Sequence, residues 1–134
     1  MGILIFCMGC KAPKIGLTPA GLPPCPDSPN CVTSQTKTVK QAVRPLTYST
    51  KRATAFAKIK QIVSNQDNAT IVAETIDYLH VEFRSKFMGF VDDMEFWFPE
   101  DQPLIHVRSA ARLGYSDFGV NRKRVQQIRA LFEK

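Results

Sequence analysis

Charged side chains and glycines are concentrated between residues 84 and 124. An arginine guanidinium is a planar fork of donors that can grip a carboxylate or a phosphate through two hydrogen bonds. The region therefore has two interpretations, a structural ion-pair network or a pocket for a small anionic ligand. The acids assigned to structural ion pairs are Asp92, Asp93, Glu95 and Asp117, and the ligand-binding candidates are Arg84, Arg108, Arg112, Tyr115, Ser116, Arg122 and Arg124.

Catalysis is the interpretation that this region favours least. Asp92 and Asp93 are neighbours in a predicted strand, so their side chains point to opposite faces and do not make a carboxylate pair. The sequence places no serine or cysteine nucleophile beside His80 or His106, and both fit surface positions of strands. No zinc-ligand spacing is present. We therefore expect no catalytic residue, no metal and no cofactor.

Hydrophobic periodicity predicts two helices and four strands. Ser49 or Thr50 is a candidate cap for the first helix, in which Phe56, Ile59 and Val63 recur at helical spacing. Residues 38–48 show no decisive pattern. The predicted elements are a helix over 51–65, strands over 71–74, 78–84, 91–98 and 104–110, and a helix over 120–132.

The predicted strands have one apolar and one polar face. In the second strand Leu79, Val81 and Phe83 alternate with polar side chains, and the other strands follow the same pattern. Such strands form an antiparallel sheet whose apolar face needs a cover. We therefore predict an α+β fold, with a four-stranded antiparallel sheet, two helices packed on one face and an extended Pro-rich N-terminal segment.

The N-terminus resembles the end of a bacterial lipoprotein signal. Residues 3–8 are apolar, Gly9 precedes Cys10, and a Pro- and Gly-rich stretch follows. In such signals the cysteine is lipidated and anchors the chain to a bilayer. This predicts a signal remnant over 1–10, a tether over 11–30 and a single α+β domain over 31–134. The alternative is an ordinary terminus with a chance cysteine.

Cys25 and Cys31 flank a short segment rich in turn-forming residues. In an exported protein the two sulfurs are expected to form a disulfide. Two free thiols in a cytosolic protein remain the alternative. A metal site would need further ligands, and the sequence contains two histidines.

Net charge is +6 and is unevenly placed. Residues 1–68 hold nine Lys or Arg against two acids, whereas residues 69–134 hold nine against ten. The basic residues of the first half form no dense run with interleaved aromatics, so nucleic-acid binding is not expected. No apolar run approaches the ~20 residues of a membrane-spanning helix.

Three ordered motifs carry a family resemblance: Cys25–Val32 (CPDSPNCV), Gly89–Phe96 (GFVDDMEF) and Arg108–Arg124 (RSAARLGYSDFGVNRKR). Over about residues 22–132 the chain resembles the family catalogued as domain of unknown function 1499, found in bacteria and plastid-bearing eukaryotes. Ala111 stands where the family tends to have Ser. The resemblance implies an envelope or lumen location and, in many members, a lipoprotein-like start. It implies no established activity, substrate or catalytic residue.

Together these features predict a lipid-anchored, periplasm-facing module of the bacterial cell envelope that binds or scaffolds rather than catalyses. Its expected partners are the membrane, through Cys10, and a small anionic ligand or an envelope protein. One rival is an enzyme acting on an anionic envelope substrate, with Arg84, Arg108 and Arg112 as clamps and Asp92 or Asp93 as acid–base. Another is a cytosolic basic adaptor.

Overall fold

The computed structural model describes residues 14–134. Its sheet has the order β1-β6-β5-β4-β3, and β2 pairs with β6 beside β1. Every pairing between these strands is antiparallel. In chain order the elements are β1 (Cys31–Thr33), a 3-10 turn (Val39–Gln41), β2 (Leu46–Thr47), α1 (Arg52–Ser64), β3 (Ala69–Glu74), β4 (Tyr78–Arg84), β5 (Val91–Trp97), β6 (Leu104–Ala111) and α2 (Val120–Phe132).

Both helices cover the same face of the sheet. Their inward side chains pack against the apolar side chains of β4, β5 and β6. This packing removes the apolar surface of the helices and of the sheet from water. The α+β class, the two helices on one face and the antiparallel sheet are confirmed. The core includes Ile59 and Val63 of α1, Leu79, Val81 and Phe83 of β4, Met94 and Phe96 of β5, Ile105 and Val107 of β6, and Val125 and Ile128 of α2.

The predicted strand number was wrong, because the sheet formed by the described residues has six strands rather than four. β1 and β2 are the additional strands, and both run along the outer edge of β6. With three residues and two residues, they are too short to display a period of two along the sequence. Their strand character comes from pairing with β6, which only the folded chain supplies.

The predicted cap of α1 was also wrong. The N-cap position is Lys51, and within the described chain no side chain there bonds the first helical amides. The Thr50 hydroxyl instead donates to the carbonyl oxygen of Lys51, 3.2 Å away. α1 therefore depends on the packing of its apolar face, which is the usual source of helix stability in proteins.

Residues 16–24, here called the strap, lie against the polar face of the sheet. The Gly16 amide donates to Glu95 Oε1 at 2.8 Å, and the Leu22 amide donates to Gln35 Oε1 at 2.8 Å. Thr18 and Gly21 close a turn through reciprocal backbone bonds. Two backbone amides of the segment predicted as a tether, those of Gly16 and Leu22, thus donate to the side chains of Glu95 and Gln35. Residues 11–13 of the predicted tether and the predicted lipidation site Cys10 lie outside the described residues.

A disulfide joins Cys25 to Cys31, with 5.7 Å between the two Cα atoms. It ties the residue that follows the strap to the first residue of β1. The predicted disulfide is confirmed. Among residues 14–134, neither helix combines the length and apolarity that crossing a bilayer requires.

Candidate functional site

The polar face of the sheet holds an ion-pair network around Asp93, a residue of the central strand β5. Arg112 grips this carboxylate through Nε at 2.7 Å and Nη2 at 2.8 Å, and His80 Nε2 lies 2.7 Å from Oδ1. The same Arg112 Nη2 donates to Glu82. Burial opposes ionisation of Asp93, but the hydrogen bonds from Arg112 and then His80 outweigh it and lower the pKa to about 2. Asp93 is therefore ionised throughout the neutral range.

Glu95 is the centre of a second group on this face and is fully buried. It accepts hydrogen bonds from the Tyr78 hydroxyl at 2.6 Å and from the Gly16 amide of the strap at 2.8 Å. Arg108 Nη1 pairs with its other oxygen at 3.3 Å. Burial, followed by the bond to Glu95, raises the pKa of the Tyr78 phenol. Among residues 14–134, Arg108 Nε is a buried atom without a hydrogen-bond partner.

The protonation behaviour of Asp93 and Tyr78 favours a structural role over proton transfer in catalysis. A general acid or base works best when its pKa lies near the operating pH. The low pKa of Asp93 and the raised pKa of Tyr78 hold both groups in one protonation state near neutrality. The strap also lies across Glu95. Buried charges that are paired and hydrogen-bonded in this way fix the arrangement of strands.

Ser34 and His106 form a contact that the sequence analysis missed. The Ser34 hydroxyl lies 2.9 Å from His106 Nδ1, and the Trp97 ring stacks on the imidazole at 5.5 Å between centroids. Burial lowers the pKa of His106, so the ring is neutral near pH 7. Ser34 Oγ also accepts from the Val107 amide at 2.9 Å, which makes the hydroxyl a link between the end of β1 and β6. Seventy-two residues separate the two side chains, so no local spacing could indicate the contact.

On the helix side of the sheet, Asn121 organises the start of α2. It is fully buried, accepts from Ser109 Oγ at 2.6 Å and donates to Asp117 Oδ2 at 2.8 Å. Burial opposes the charge of Asp117, but bonds from the amide and side chain of Asn121 and the amide of Gly119 outweigh it and lower its pKa. Arg124 Nη1 donates to Asp92 Oδ2 at 2.9 Å and to Asn121 Oδ1 at 2.9 Å. Asp117 and Arg124 thus hold the helix start from two sides.

The five candidate arginines do not converge. Arg108 and Arg112 belong to the polar face, whereas Arg124 is on the helix side. Arg122 donates to the carbonyl oxygens of Ala42 and Lys40, both at 2.8 Å. Arg84 reaches the Gly89 carbonyl at 3.1 Å in its own loop. Among the four acids, Asp92, Asp93 and Glu95 pair with arginines, and Asp117 binds amide groups instead.

A cleft of about 490 Å³ opens where β4, β5 and β6 reach the loops 85–90 and 112–119. The two loops are held together, because the Arg112 amide donates to the Val91 carbonyl at 3.1 Å. Ser116 lines the cleft, whereas Tyr115 is exposed beside it. The apolar lining side chains are Phe90, Ala111, Leu113, Phe118 and Val120, and the polar ones include Asn68, Ser85, Asp92, Asp117 and Arg124.

Large apolar side chains crowd the surface around this cleft, and we call the two loops with these residues the loop end. Apart from Tyr115, which is a ligand-binding candidate, these side chains had no surface role predicted from the sequence, because all but Val120 lie outside the periodic segments. Their signal was the apolar content of two glycine-containing loops, which turn chemistry alone does not require. The exposed members are Phe87, Met88, Phe90, Leu113, Tyr115, Phe118 and Val120.

No metal site accompanies the loop end or the polar face: within residues 14–134, no three His, Cys, Asp or Glu side chains are grouped so as to hold an ion. No match was found among curated proteins or among solved structures. The family model described as "Protein of unknown function (DUF1499)" matches residues 21–132, which include the strap from Gly21 onward, the disulfide and both loops. The chain therefore belongs to the DUF1499 family of proteins of unknown function.

Proposed function

We propose that this protein is a non-catalytic, lipid-anchored binding module of the bacterial cell envelope, and that its binding surface is the loop end. The observation that carries the proposal is the cleft bordered by exposed Phe90, Leu113 and Phe118. Single exposed apolar side chains are ordinary on protein surfaces, but a contiguous group around a concave site is typical of an interaction surface. The expected ligand is an apolar group such as an acyl chain.

The charged groups support the same choice of surface. The guanidinium groups of Arg108, Arg112 and Arg124 already hold carboxylates of the fold. Binding a second anion there would require one of these pairs to break and leave a partly buried charge unpaired. An anion site, whether for binding or for catalysis, therefore has less support than an apolar site at the loop end.

The envelope location draws on three features. Disulfides persist mainly in oxidising compartments such as the periplasm, and the chain contains the Cys25–Cys31 disulfide. The residues around Cys10 resemble a lipidation site. The resemblance to the DUF1499 family implies a lipoprotein-like start in many members. Metabolic labelling with a lipid precursor tests the anchor, since the full-length protein should lose its label in a Cys10→Ser variant.

A fluorescent fatty acid provides the test of the cleft. We expect saturable binding to the unlipidated full-length chain and about a tenfold weaker affinity for Leu113→Asp, because a charge would enter the apolar lining. The matched control is Ile76→Asp, which places the same charge on an exposed apolar position in the turn between β3 and β4. Equal affinity of both variants, or no saturable binding by the wild type, would overturn the proposal.

A further inference from the structure

The tip of the first loop is held outward by its own hydrogen bonds. Ser85 and Phe90 close the base of the loop, since the Ser85 amide donates to the Phe90 carbonyl at 2.8 Å and the Phe90 amide donates to Ser85 Oγ at 3.0 Å. Phe87 and Met88 stand at the tip and are 96% and 70% exposed. Neither lines the cleft. The cleft therefore does not account for the exposure of these two side chains.

The second loop presents a similar side chain. Phe118 is 96% exposed and has a positive φ of 54°, in the left-handed region that a bulky residue seldom adopts. The conformation is held by the Asp117 carboxylate, which accepts from the amides of Gly119 and Asn121 on the far side of Phe118. An aromatic ring is thus kept in water by a locally strained backbone, which costs free energy unless another surface receives the ring.

The charges of the first loop are basic. Arg84 and Lys86 precede the tip, and the sequence has no acid between Glu82 and Asp92. Within residues 14–134, neither basic side chain makes an ion pair, since Arg84 bonds a carbonyl oxygen and Lys86 is exposed. Exposed Phe and Met side chains beside basic groups match the boundary of an anionic bilayer, where rings enter the headgroup region and cations meet phosphates.

The length of chain before the strap favours a bilayer over a protein as the occupant. Gly16 is fixed to Glu95, which lies five residues along β5 from Phe90, and at ~3.4 Å per residue this places the loop about 17 Å away. Gly16 lies six positions after Cys10, and an extended chain over that span reaches about 20 Å. An acyl chain on Cys10 and the tips of both loops are therefore able to enter the same membrane plane.

We propose that the loop end docks onto a lipid bilayer with anionic headgroups, inserting Phe87, Met88 and Phe118 while Arg84 and Lys86 contact lipid phosphates. This inference rests on the proposed function, because it names the partner of the same surface. Docking would hold the mouth of the cleft at the membrane, where acyl chains are available.

Vesicle sedimentation of the full-length Cys10→Ser chain tests the docking without the anchor. We expect binding to vesicles of equal parts phosphatidylcholine and phosphatidylglycerol at low salt, and weaker binding to phosphatidylcholine alone. Phe87→Ser/Met88→Ser should weaken binding about tenfold or more, and Lys86→Ala about fivefold. The matched control is Val39→Ser/Ile76→Ser, which removes two apolar side chains of similar exposure, 86% and 81%, outside the loop end. Its binding should equal that of the parent chain.

The proposal of membrane docking and the proposal of fatty-acid binding in the cleft can be refuted separately. Phe87→Ser/Met88→Ser leaves the cleft lining intact, so its affinity for the fluorescent fatty acid should stay unchanged while vesicle binding falls. No sedimentation of the parent chain with anionic vesicles, or equal sedimentation of the loop variant, overturns the docking even where fatty-acid binding persists. Loss of fatty-acid binding by the parent chain overturns the proposed function instead. A photo-cross-linker at position 87 that reacts in cells with a protein and not with lipid also overturns the docking.

Discussion

Asp93 and Arg112 form a bidentate ion pair at the boundary between the buried sheet and solvent. The side chain of Asp93 is 2% exposed and that of Arg112 is 32% exposed. The hydrogen bonds to Asp93, and then to Glu82, raise the pKa of Arg112 although burial opposes its charge. A guanidinium that is open to water on one side therefore neutralises a carboxylate that water does not reach. The pair ties the loop after β6 to the centre of the sheet.

We expect Asp93→Asn to lower stability at neutral pH and to remove part of the acid sensitivity. The carboxyl has a pKa of about 2 in the folded chain, below its ordinary value of 3.8, so it stabilises the folded state above about pH 4 and loses this contribution as the pH falls toward 2. The shift corresponds to about 2 kcal/mol. Urea denaturation between pH 7 and pH 2 measures the effect. Asp67→Asn, at an exposed position, serves as the control and should keep the wild-type slope.

Gly21→Ala should loosen the strap. A Cβ at position 21 would lie 2.6 Å from Trp97 Cζ3 and 2.6 Å from Gln35 Oε1, and the glycine φ of +112° adds strain for any side chain. We expect a loss of about 1–3 kcal/mol. Trp97 is the one tryptophan of the chain, so its fluorescence should shift to the red as water enters beneath the strap.

Gly16→Ala is the matched control for the strap. Gly16 has a similar φ of +104°, but a Cβ there meets no heavy atom within 4 Å. The two variants share the backbone strain and differ in the clash with Trp97. Equal fluorescence spectra for both would show that the clash has no effect on the strap.

Asn121→Ala should destabilise the start of α2. The change leaves Ser109 and Asp117 without their buried amide partner, and an unsatisfied buried polar group costs ~1–3 kcal/mol. Thermal unfolding measures the loss. Gln127→Ala removes an exposed amide from the same helix and should leave the melting temperature nearly unchanged. A similar small effect of both substitutions would contradict the role assigned to Asn121.

Reduction of the Cys25–Cys31 disulfide should lower the free energy of unfolding by about 2 kcal/mol, because the loop that it closes is short. Urea denaturation with and without a reductant measures the change. The double variant Cys25→Ala/Cys31→Ala should no longer respond to the reductant. A persistent response would assign the effect to another part of the chain.

Local sequence patterns predicted much of the framework. The strand β4 and the helix α2 have the predicted bounds, because Leu79, Val81 and Phe83 alternate within one and Val125, Ile128 and Phe132 recur within the other. The same patterns said which face of the sheet would be apolar. They also placed Asp92 and Asp93 on opposite faces, as their separate partners Arg124 and Arg112 require.

The candidate site was harder to predict from the sequence than the helices and strands were. The sequence drew attention to the five arginines but did not show that they separate in the fold, because their partners are distant: Arg122 bonds carbonyl oxygens 80 and 82 residues earlier in the chain. The exposed Phe87 and Phe118 lie in loops, and no periodicity distinguishes an exposed loop aromatic from a buried one. Only the folded structure shows that these two side chains are exposed.

The sequence by itself determined the helices, the central strands and their apolar faces, because these features depend on side chains a few positions apart in the chain. Only the tertiary structure decided that the strap crosses the polar face and that Glu95 is buried beneath it. It also decided that the two loops share one cleft. The physical reason is that these hydrogen bonds and apolar contacts join segments that are distant in the sequence. Such segments meet only when the whole chain has folded, so no local pattern can indicate them.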